Sequence, residues 1–255
     1  MTAKQVSTHI ALPPGIPSGE VVSRLIDLAF KEYRWFQPAQ YGRFGDEVSL
    51  EPGCTDFRAL LACYDECPRL TISGSTERDY LMLLPPSVPE FPFVGKLIWA
   101  TSLTEARKAG WRDAHLLQVM EVMRLLGSPL ACSGVADDLG RKAERFIPNP
   151  DGFGTEQTFT VRDPSEGLAG LYWRNFFGPP FIRLFGERLQ SLPPGTVQQL
   201  GDDLLLVQPY ALPTQAMTPE GDAAEQRLIT LLGPECFYDF QHHRKPTRLP
   251  ELPSP

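Results

Sequence analysis

Cysteine and histidine are the side chains of this sequence to consider first as ligands of a zinc ion. Cys63 and Cys67 are four residues apart, and Cys54 lies nine residues before Cys63. Zinc requires three or four such ligands at tetrahedral spacing, but the flanking histidines, His9 and His115, are distant along the chain. On a helix, Cys63 and Cys67 would share one face and fit a half-buried core equally well. The sequence therefore predicts no metal site and no cofactor.

A cysteine beside a histidine could also act as a nucleophile. Cys132 or Cys63 could meet His115 or His243 in space, but no local signature supports such a pair. His115 comes one residue before a helical apolar stripe, which favours a boundary position. Glycine-rich phosphate loops, the G-x-S-x-G turn and the H-E-x-x-H motif are also missing from the sequence. We therefore predict no catalytic residue and no enzymatic activity.

The charge balance restricts the class of partner. The 255 residues include 24 basic and 31 acidic side chains, a net charge of −7. Nucleic-acid binders carry a basic face, so this balance argues against one, whereas it would speed the approach of a basic protein. Five acidic residues in predicted loops or element ends are candidates for contacting such a partner: Asp137, Asp138, Glu144, Asp202 and Asp203. Alternatively, the aspartate pairs only cap neighbouring turns.

Aromatic residues are concentrated around a Gly-Pro-Pro break within residues 171–186. Their helical spacing favours two helices meeting at a core corner. The residues buried in that interpretation are Trp173, Phe177 and Phe181. In the alternative interpretation, Trp173 with Arg174 and Arg183 forms an exposed binding patch, because tryptophan, tyrosine and arginine dominate interface energetics.

Strand and helix signals alternate along the chain. Strand–helix–strand patterns recur loosely near residues 7–41, 97–133 and 204–240, and Ser102 with Glu105 forms a capping-box pattern. We expect an α+β fold with a largely antiparallel sheet and packed helices.

Three further segments have less regular patterns. Residues 34–41 are predicted as an aromatic-rich strand, residues 137–154 as a charged segment followed by a loop, and residues 167–176 as a helix.

The sequence predicts one domain over residues 1–240, with possible subregions 1–147 and 155–240. Residues 241–255 are proline-rich and predicted to be an extended or disordered tail. A last strand is predicted at residues 237–240.

Compartment is inferred from the cysteines and the apolar runs. Five cysteines are an odd and sparse set for a disulfide framework. No run approaches the ~20 apolar residues of a membrane helix, and the N-terminus lacks a secretory apolar region. We expect a cytoplasmic protein with reduced thiols.

The run from Trp173 to Pro179, with Gly186 and the strand candidate Leu204–Val207, resembles a pattern of immunity proteins from bacterial toxin systems, including type VI secretion. Those proteins carry a W-x-x-x-(F/L)-G-P run, then a helix ending near a glycine, then a strand before a proline. The match covers about residues 171–209. It implies a cytoplasmic, non-enzymatic protein that binds and occludes one cognate toxin.

The acidic charge would suit a basic, nuclease-like toxin. Two alternatives stay open at this point: a small-molecule enzyme of unknown class, and a structural subunit of a cytosolic assembly.

Overall fold

The structure is a computed structural model that describes residues 4–43, 46–51, 53, 56–76 and 78–253. The chain divides into two compact units, an N-terminal unit ending at Ala131 and a C-terminal unit over Cys132–Pro253. The division falls within a strand, upstream of residues 148–154, which lie between the two predicted subregions.

The described residues of the N-terminal unit form an antiparallel sheet and four α-helices. Its strands are β1 (Gln5–Ala11), β2 (Gln40–Arg43), β3 (Asp46–Ser49), β4 (Leu70–Ser73), β5 (Tyr80–Leu84) and β6 (Lys96–Ser102). Its helices are α1 (Gly19–Ile26), α2 (Arg58–Glu66), α3 (Leu103–Ala106) and α4 (Ala109–Leu126). The strands are ordered β1-β6-β5-β4-β2-β3, and each neighbouring pair is antiparallel.

Local sequence explains most of these elements. Alternation along β5 buries Leu81 and Leu83, as expected for a strand with one face on the core. Half of the predicted capping box forms at α3, where the hydroxyl of Ser102 accepts a hydrogen bond from the Glu105 amide at 3.3 Å. The reciprocal bond to the Glu105 side chain is replaced, because the Ser102 amide donates to the Asp79 carboxylate at 3.2 Å. α4 ends at Gly127, whose φ of 64° is the left-handed conformation that glycine adopts without a steric cost.

The predicted strand over residues 34–41 is wrong except at its last two residues. α1 continues directly into a π-helix, Asp27–Glu32, and Arg34 then has a φ of 52°. A left-handed residue cannot lie within a regular strand, so β2 begins only at Gln40.

The C-terminal unit combines short strands with three α-helices. Its strands are β7 (Leu130–Val135, which crosses the unit boundary), β8 (Glu144–Pro148), β9 (Thr155–Phe159), β10 (Arg174–Phe177), β11 (Val197–Gln199) and β12 (Leu205–Val207). Its helices are α5 (Ala136–Ala143), α6 (Pro179–Phe185) and α7 (Pro219–Leu232). Four strands are ordered β11-β12-β10-β7, with β12 antiparallel to β10 and β11, while β8 and β9 form a separate hairpin.

Three predictions for this unit are wrong. The charged segment and loop predicted over residues 137–154 instead contain α5 and β8, and only the residues after Pro148 form a turn. Residues 167–176 are not a helix, because their last part forms β10, in which every residue is buried. Residues 237–240 do not form a strand and contribute only isolated bridges, Leu168 to Phe237 and Asp239 to Arg244.

The residues after 240 are held against the unit. The amides of Thr247 and Arg248 donate to the Glu235 carbonyl at 2.9 and 3.0 Å. Pro246 is buried, and a Cβ added to Gly167 would lie 2.7 Å from its Cβ. This part of the predicted tail is therefore ordered by specific contacts.

The sheets and helices confirm the predicted α+β fold with largely antiparallel pairing. Within the described ranges, no helix has both the length and the apolar character needed to cross a membrane.

Candidate partner-binding surface

The hairpin of β8 and β9 presents the most unusual surface of the C-terminal unit. Its register pairs Glu144 with Phe159 and Phe146 with Gln157. Paired residues share a face, so Phe146 and Phe159 are diagonal neighbours. Every strand residue on this face is exposed, whereas three of the four strand residues on the opposite face are half-buried. We call the exposed face, together with the turn at its tip, the hairpin surface.

Three phenylalanines are exposed on the hairpin surface. The exposed fractions are 65% for Phe146, 82% for Phe153 at the turn and 53% for Phe159. Among the described residues, the only other exposed phenylalanine is Phe91, at 37%. Burying one such ring is worth about 1.5–3 kcal/mol. A cluster of apolar groups left in water is typical of a protein-binding surface.

The turn between the strands is held in shape by short-range hydrogen bonds. The Asn149 side chain donates to the Phe153 carbonyl at 2.6 Å, and the Asp151 carboxylate accepts from the Phe153 amide at 3.0 Å. Gly152 and Gly154 have φ of 80° and 74°, which few other residues adopt. The turn therefore fixes the backbone on both sides of Phe153.

Arg145 ties the hairpin to the rest of the C-terminal unit. Its guanidinium lies 4.9 Å from the centre of the Phe240 ring and donates to the Phe240 carbonyl at 3.3 Å. At the open end of the hairpin, where its two strands join the rest of the unit, the amide of Thr160 donates to the Ala143 carbonyl at 3.0 Å. These contacts orient the exposed face outward.

The hairpin carries an acidic charge. Three carboxylates lie within residues 144–159, those of Glu144, Asp151 and Glu156. The segment has one basic residue, Arg145, and its charge is directed at Phe240. Glu156 lies on the opposite face, so the hairpin surface combines the apolar rings with the negative charges of Glu144 and Asp151, a chemistry that complements a basic protein with apolar contact sites.

A buried ionic cluster lies directly before the hairpin, on α5. The ammonium group of Lys142 donates to the Asp138 carboxylate at 3.1 Å, the Glu225 carboxylate at 2.7 Å and the Leu171 carbonyl at 2.6 Å. Glu225 also accepts from the Leu171 amide at 3.0 Å. All three ammonium hydrogens and both Glu225 oxygens are thus engaged, so the cluster joins α5, α7 and the segment before β10.

Burial raises the pKa of Glu225, with the nearby Lys142 acting in the opposite direction. A cleft of about 760 Å³ borders this cluster and the Arg145–Phe240 contact. All three ammonium hydrogens of Lys142 are donated to groups inside the unit, and Glu225 accepts from two of the elements that the cluster joins. This arrangement supports a structural role for the cluster.

The structure separates the residues predicted to contact a partner. Glu144 lies on the hairpin surface, and Asp137, Arg183, Asp202 and Asp203 are also exposed. The buried members are Asp138, Trp173 and Arg174.

The buried members have partners inside the unit. The Trp173 indole donates to the Ala211 carbonyl at 3.1 Å, and the Arg174 guanidinium stacks 4.3 Å from the Trp173 ring centre. The prediction that Trp173, Phe177 and Phe181 are buried is confirmed, with each ring fully inside.

The cysteines and histidine considered for chemistry also have defined places. Cys54 lies outside the described residues, and burial raises the pKa of the Cys63 thiol. The predicted boundary position of His115 is wrong: it is fully buried, with its Nε2 2.9 Å from the Thr8 hydroxyl. Within the described ranges, no three histidine, cysteine, aspartate or glutamate side chains are grouped to hold a metal.

Sequence reasoning missed Phe146, Phe153 and Phe159. The signal that could have found them is a Pro-Asp-Gly turn between two short runs, residues 145–147 and 155–159, that contain phenylalanine and β-branched residues.

The fold and this surface define an α+β protein that presents an acidic, aromatic hairpin. No family model matches the chain, and no curated protein matches it. Among solved structures, the fold is similar to that of the Pseudomonas aeruginosa T6SS protein PA0821, with a TM-score of 0.53 and 11% sequence identity. The match covers 92% of this chain and 73% of that one. At this identity the likeness shows a shared fold with a protein of the type VI secretion system.

Proposed function

We propose that this chain is a non-enzymatic immunity protein that binds a cognate bacterial toxin and occludes its active surface. The observation that carries the proposal is the exposure of Phe146, Phe153 and Phe159 on one acidic hairpin. The resemblance of the segment around Trp173 to immunity proteins supports it, as does the fold shared with a type VI secretion protein.

The mechanism follows from the chemistry of the hairpin surface. The net charge of −7 and the hairpin carboxylates attract a basic toxin and raise the rate of encounter. The phenylalanine rings then enter apolar sites on the toxin, and their burial slows dissociation. The toxin is blocked by coverage, which requires no catalytic residue in this chain. The complex forms in the cytoplasm, without nucleic acid or membrane.

Co-expression with the product of the adjacent gene tests the proposed function. We expect a stoichiometric complex with a protein that is toxic when expressed alone. A harmless neighbour that does not co-purify would remove the immunity proposal.

The surface is tested by measuring the affinity of that complex by calorimetry. Phe146→Ala and Phe153→Ala should each weaken binding about 30-fold or more, which corresponds to a loss of ~2 kcal/mol. Phe91→Ala is the matched control, because Phe91 is also exposed but lies in the other unit. Wild-type affinity in both hairpin variants would show that the toxin binds elsewhere.

A second occupant of the same surface is another copy of this chain. β8 and β9 form a two-stranded sheet, so each has an outer edge that a further strand could extend. Light scattering after size exclusion distinguishes the two occupants: a dimer that Phe146→Ala dissociates would favour self-association, and a monomer would favour the toxin.

A further inference from the structure

A separate pocket of about 430 Å³ lies in the N-terminal unit. Four aromatic side chains line it, those of Tyr33, Trp35, Phe36 and Trp111. Two carboxylates, Asp79 and Glu105, also line it. Its volume is within the usual range for sites that bind small molecules or single side chains.

The aromatic walls are held rigidly. Trp35 stacks on Trp99 with ring centres 3.9 Å apart and planes 7° from parallel, and its indole donates to the Gln118 side chain at 3.0 Å. Trp111 contacts His115 at 4.6 Å between ring centres. Because these rings are fixed by packing, the pocket does not have to form when a ligand arrives.

Asp79 is positioned by three hydrogen bonds. One oxygen accepts from the Ser102 amide at 3.2 Å and the Thr101 hydroxyl at 3.4 Å, and the other accepts from the Thr76 hydroxyl at 2.8 Å. A carboxylate has about four acceptor sites. One site therefore remains for a donor in the pocket.

The backbone beside the pocket is unusual. Arg34 has a φ of 52°, and it follows the π-helix Asp27–Glu32. The amide of Trp35 donates back to the Ala29 carbonyl at 2.9 Å, which turns the chain so that Trp35 reaches its stacking partner. Left-handed residues and π-helices are concentrated at binding sites.

We propose that this pocket binds a guanidinium group, the side chain of an arginine in a polypeptide ligand. A flat cation stacks on indole faces and donates to a carboxylate at its edge, and the pocket offers both. Glu105 is already paired with Lys108 at 2.7 Å, so Asp79 is the main anionic contact. Arg34 is the one basic residue among the described lining residues, and its exposure lets water screen its charge. This site is independent of the hairpin surface.

Nitrogen-15 NMR of the tryptophan indole groups tests the proposal with the free protein. The probe is N-acetyl-arginine amide, and its neutral isostere N-acetyl-citrulline amide is the ligand control. We expect saturable shifts of the Trp35, Trp99 and Trp111 signals, with a dissociation constant on the order of 1 mM. The fourth tryptophan, Trp173, lies in the other unit and serves as an internal reference.

One ligand comparison and three protein variants decide the outcome. The citrulline compound should bind at least fivefold more weakly than the arginine compound. Asp79→Asn and Trp111→Leu should each weaken arginine binding at least fivefold, whereas Asp113→Asn, an exposed carboxylate outside the lining, should not change it. Equal binding of the two compounds, or arginine binding that survives both variants, would overturn the proposal. The ligand comparison uses the wild-type chain, so it decides the matter even where a variant unfolds.

Discussion

Replacing Lys142 by methionine tests the role of the buried ionic cluster. Lys142 is 5% exposed, and its ammonium group is shared between Asp138, 0% exposed, and Glu225, 7% exposed. Methionine keeps the length of the side chain but leaves the buried Glu225 carboxylate without its cation and Asp138 with Arg141 alone. Breaking a buried ion pair in this way costs about 3–5 kcal/mol. In a chain of this size 1 kcal/mol lowers the unfolding temperature by about 2–4 °C, so we expect a decrease of ~6–20 °C.

The same variant should gain stability on acidification. Burial already raises the pKa of Glu225, and loss of the neighbouring cation raises it further. The folded variant then binds a proton that the unfolded chain, with an ordinary glutamate pKa, releases at neutral pH. Because the folded state binds more protons, its stability increases as the pH falls from 8 towards 5. The difference in unfolding temperature between variant and wild type should therefore narrow over that range.

Thermal unfolding followed by circular dichroism at pH 5 and pH 8 measures both effects. Lys245→Met is the matched control, because Lys245 pairs with Glu166 in a position where both side chains are substantially exposed. Such a pair is worth about 0–1 kcal/mol. A Lys142→Met variant that unfolds within 2 °C of wild type at pH 8, or whose difference from wild type is the same at both pH values, would refute the reasoning.

Three further outcomes are expected. Asp138→Asn should lower the free energy of unfolding by about 1.5–3 kcal/mol, because it weakens charged hydrogen bonds from Arg141 and Lys142. Calorimetry at a temperature where this variant is folded should give an unchanged affinity for the proposed toxin. Arg34→Gly should raise the unfolding temperature by about 1–4 °C, because glycine relieves the left-handed backbone; a decrease would show that the arginine side chain stabilises the turn. The rate constant for association with the proposed toxin, measured by stopped flow, should fall about tenfold or more between roughly 0.05 and 0.5 M salt, because salt screens the attraction between acidic and basic surfaces. A rate constant that does not depend on salt would contradict electrostatic attraction.

The sequence predicted those elements whose apolar pattern has a clear period. Residues 80–84 have the pattern of a strand, and Thr218 followed by Pro219 has the pattern of a helix start; the structure has β5 over Tyr80–Leu84 and begins α7 at Pro219 with Thr218 as its cap. Helix and strand are not distinguished by period where all residues are buried. This is why the segment that contains β10 was predicted as a helix.

The residues of the candidate surface were harder to predict because exposure depends on tertiary structure. Asp138 and Glu144 look alike in the sequence, each a charged residue beside a turn signal. Asp138 is buried because Lys142 pairs with it, and the same lysine pairs with Glu225, which lies 83 residues from Lys142 along the chain. The hairpin rings were missed for the opposite reason, since an apolar residue is normally assigned to the core.

The hairpin carboxylates also bear on the solubility of the free protein. An aromatic hairpin with open edges can join the hairpin of a neighbouring copy and start aggregation. Glu144, Asp151 and Glu156 place like charges on the strands and turn that would meet, which opposes such pairing as gatekeeper residues do. The charges to which we assign attraction of a basic toxin would therefore also keep the free protein dispersed.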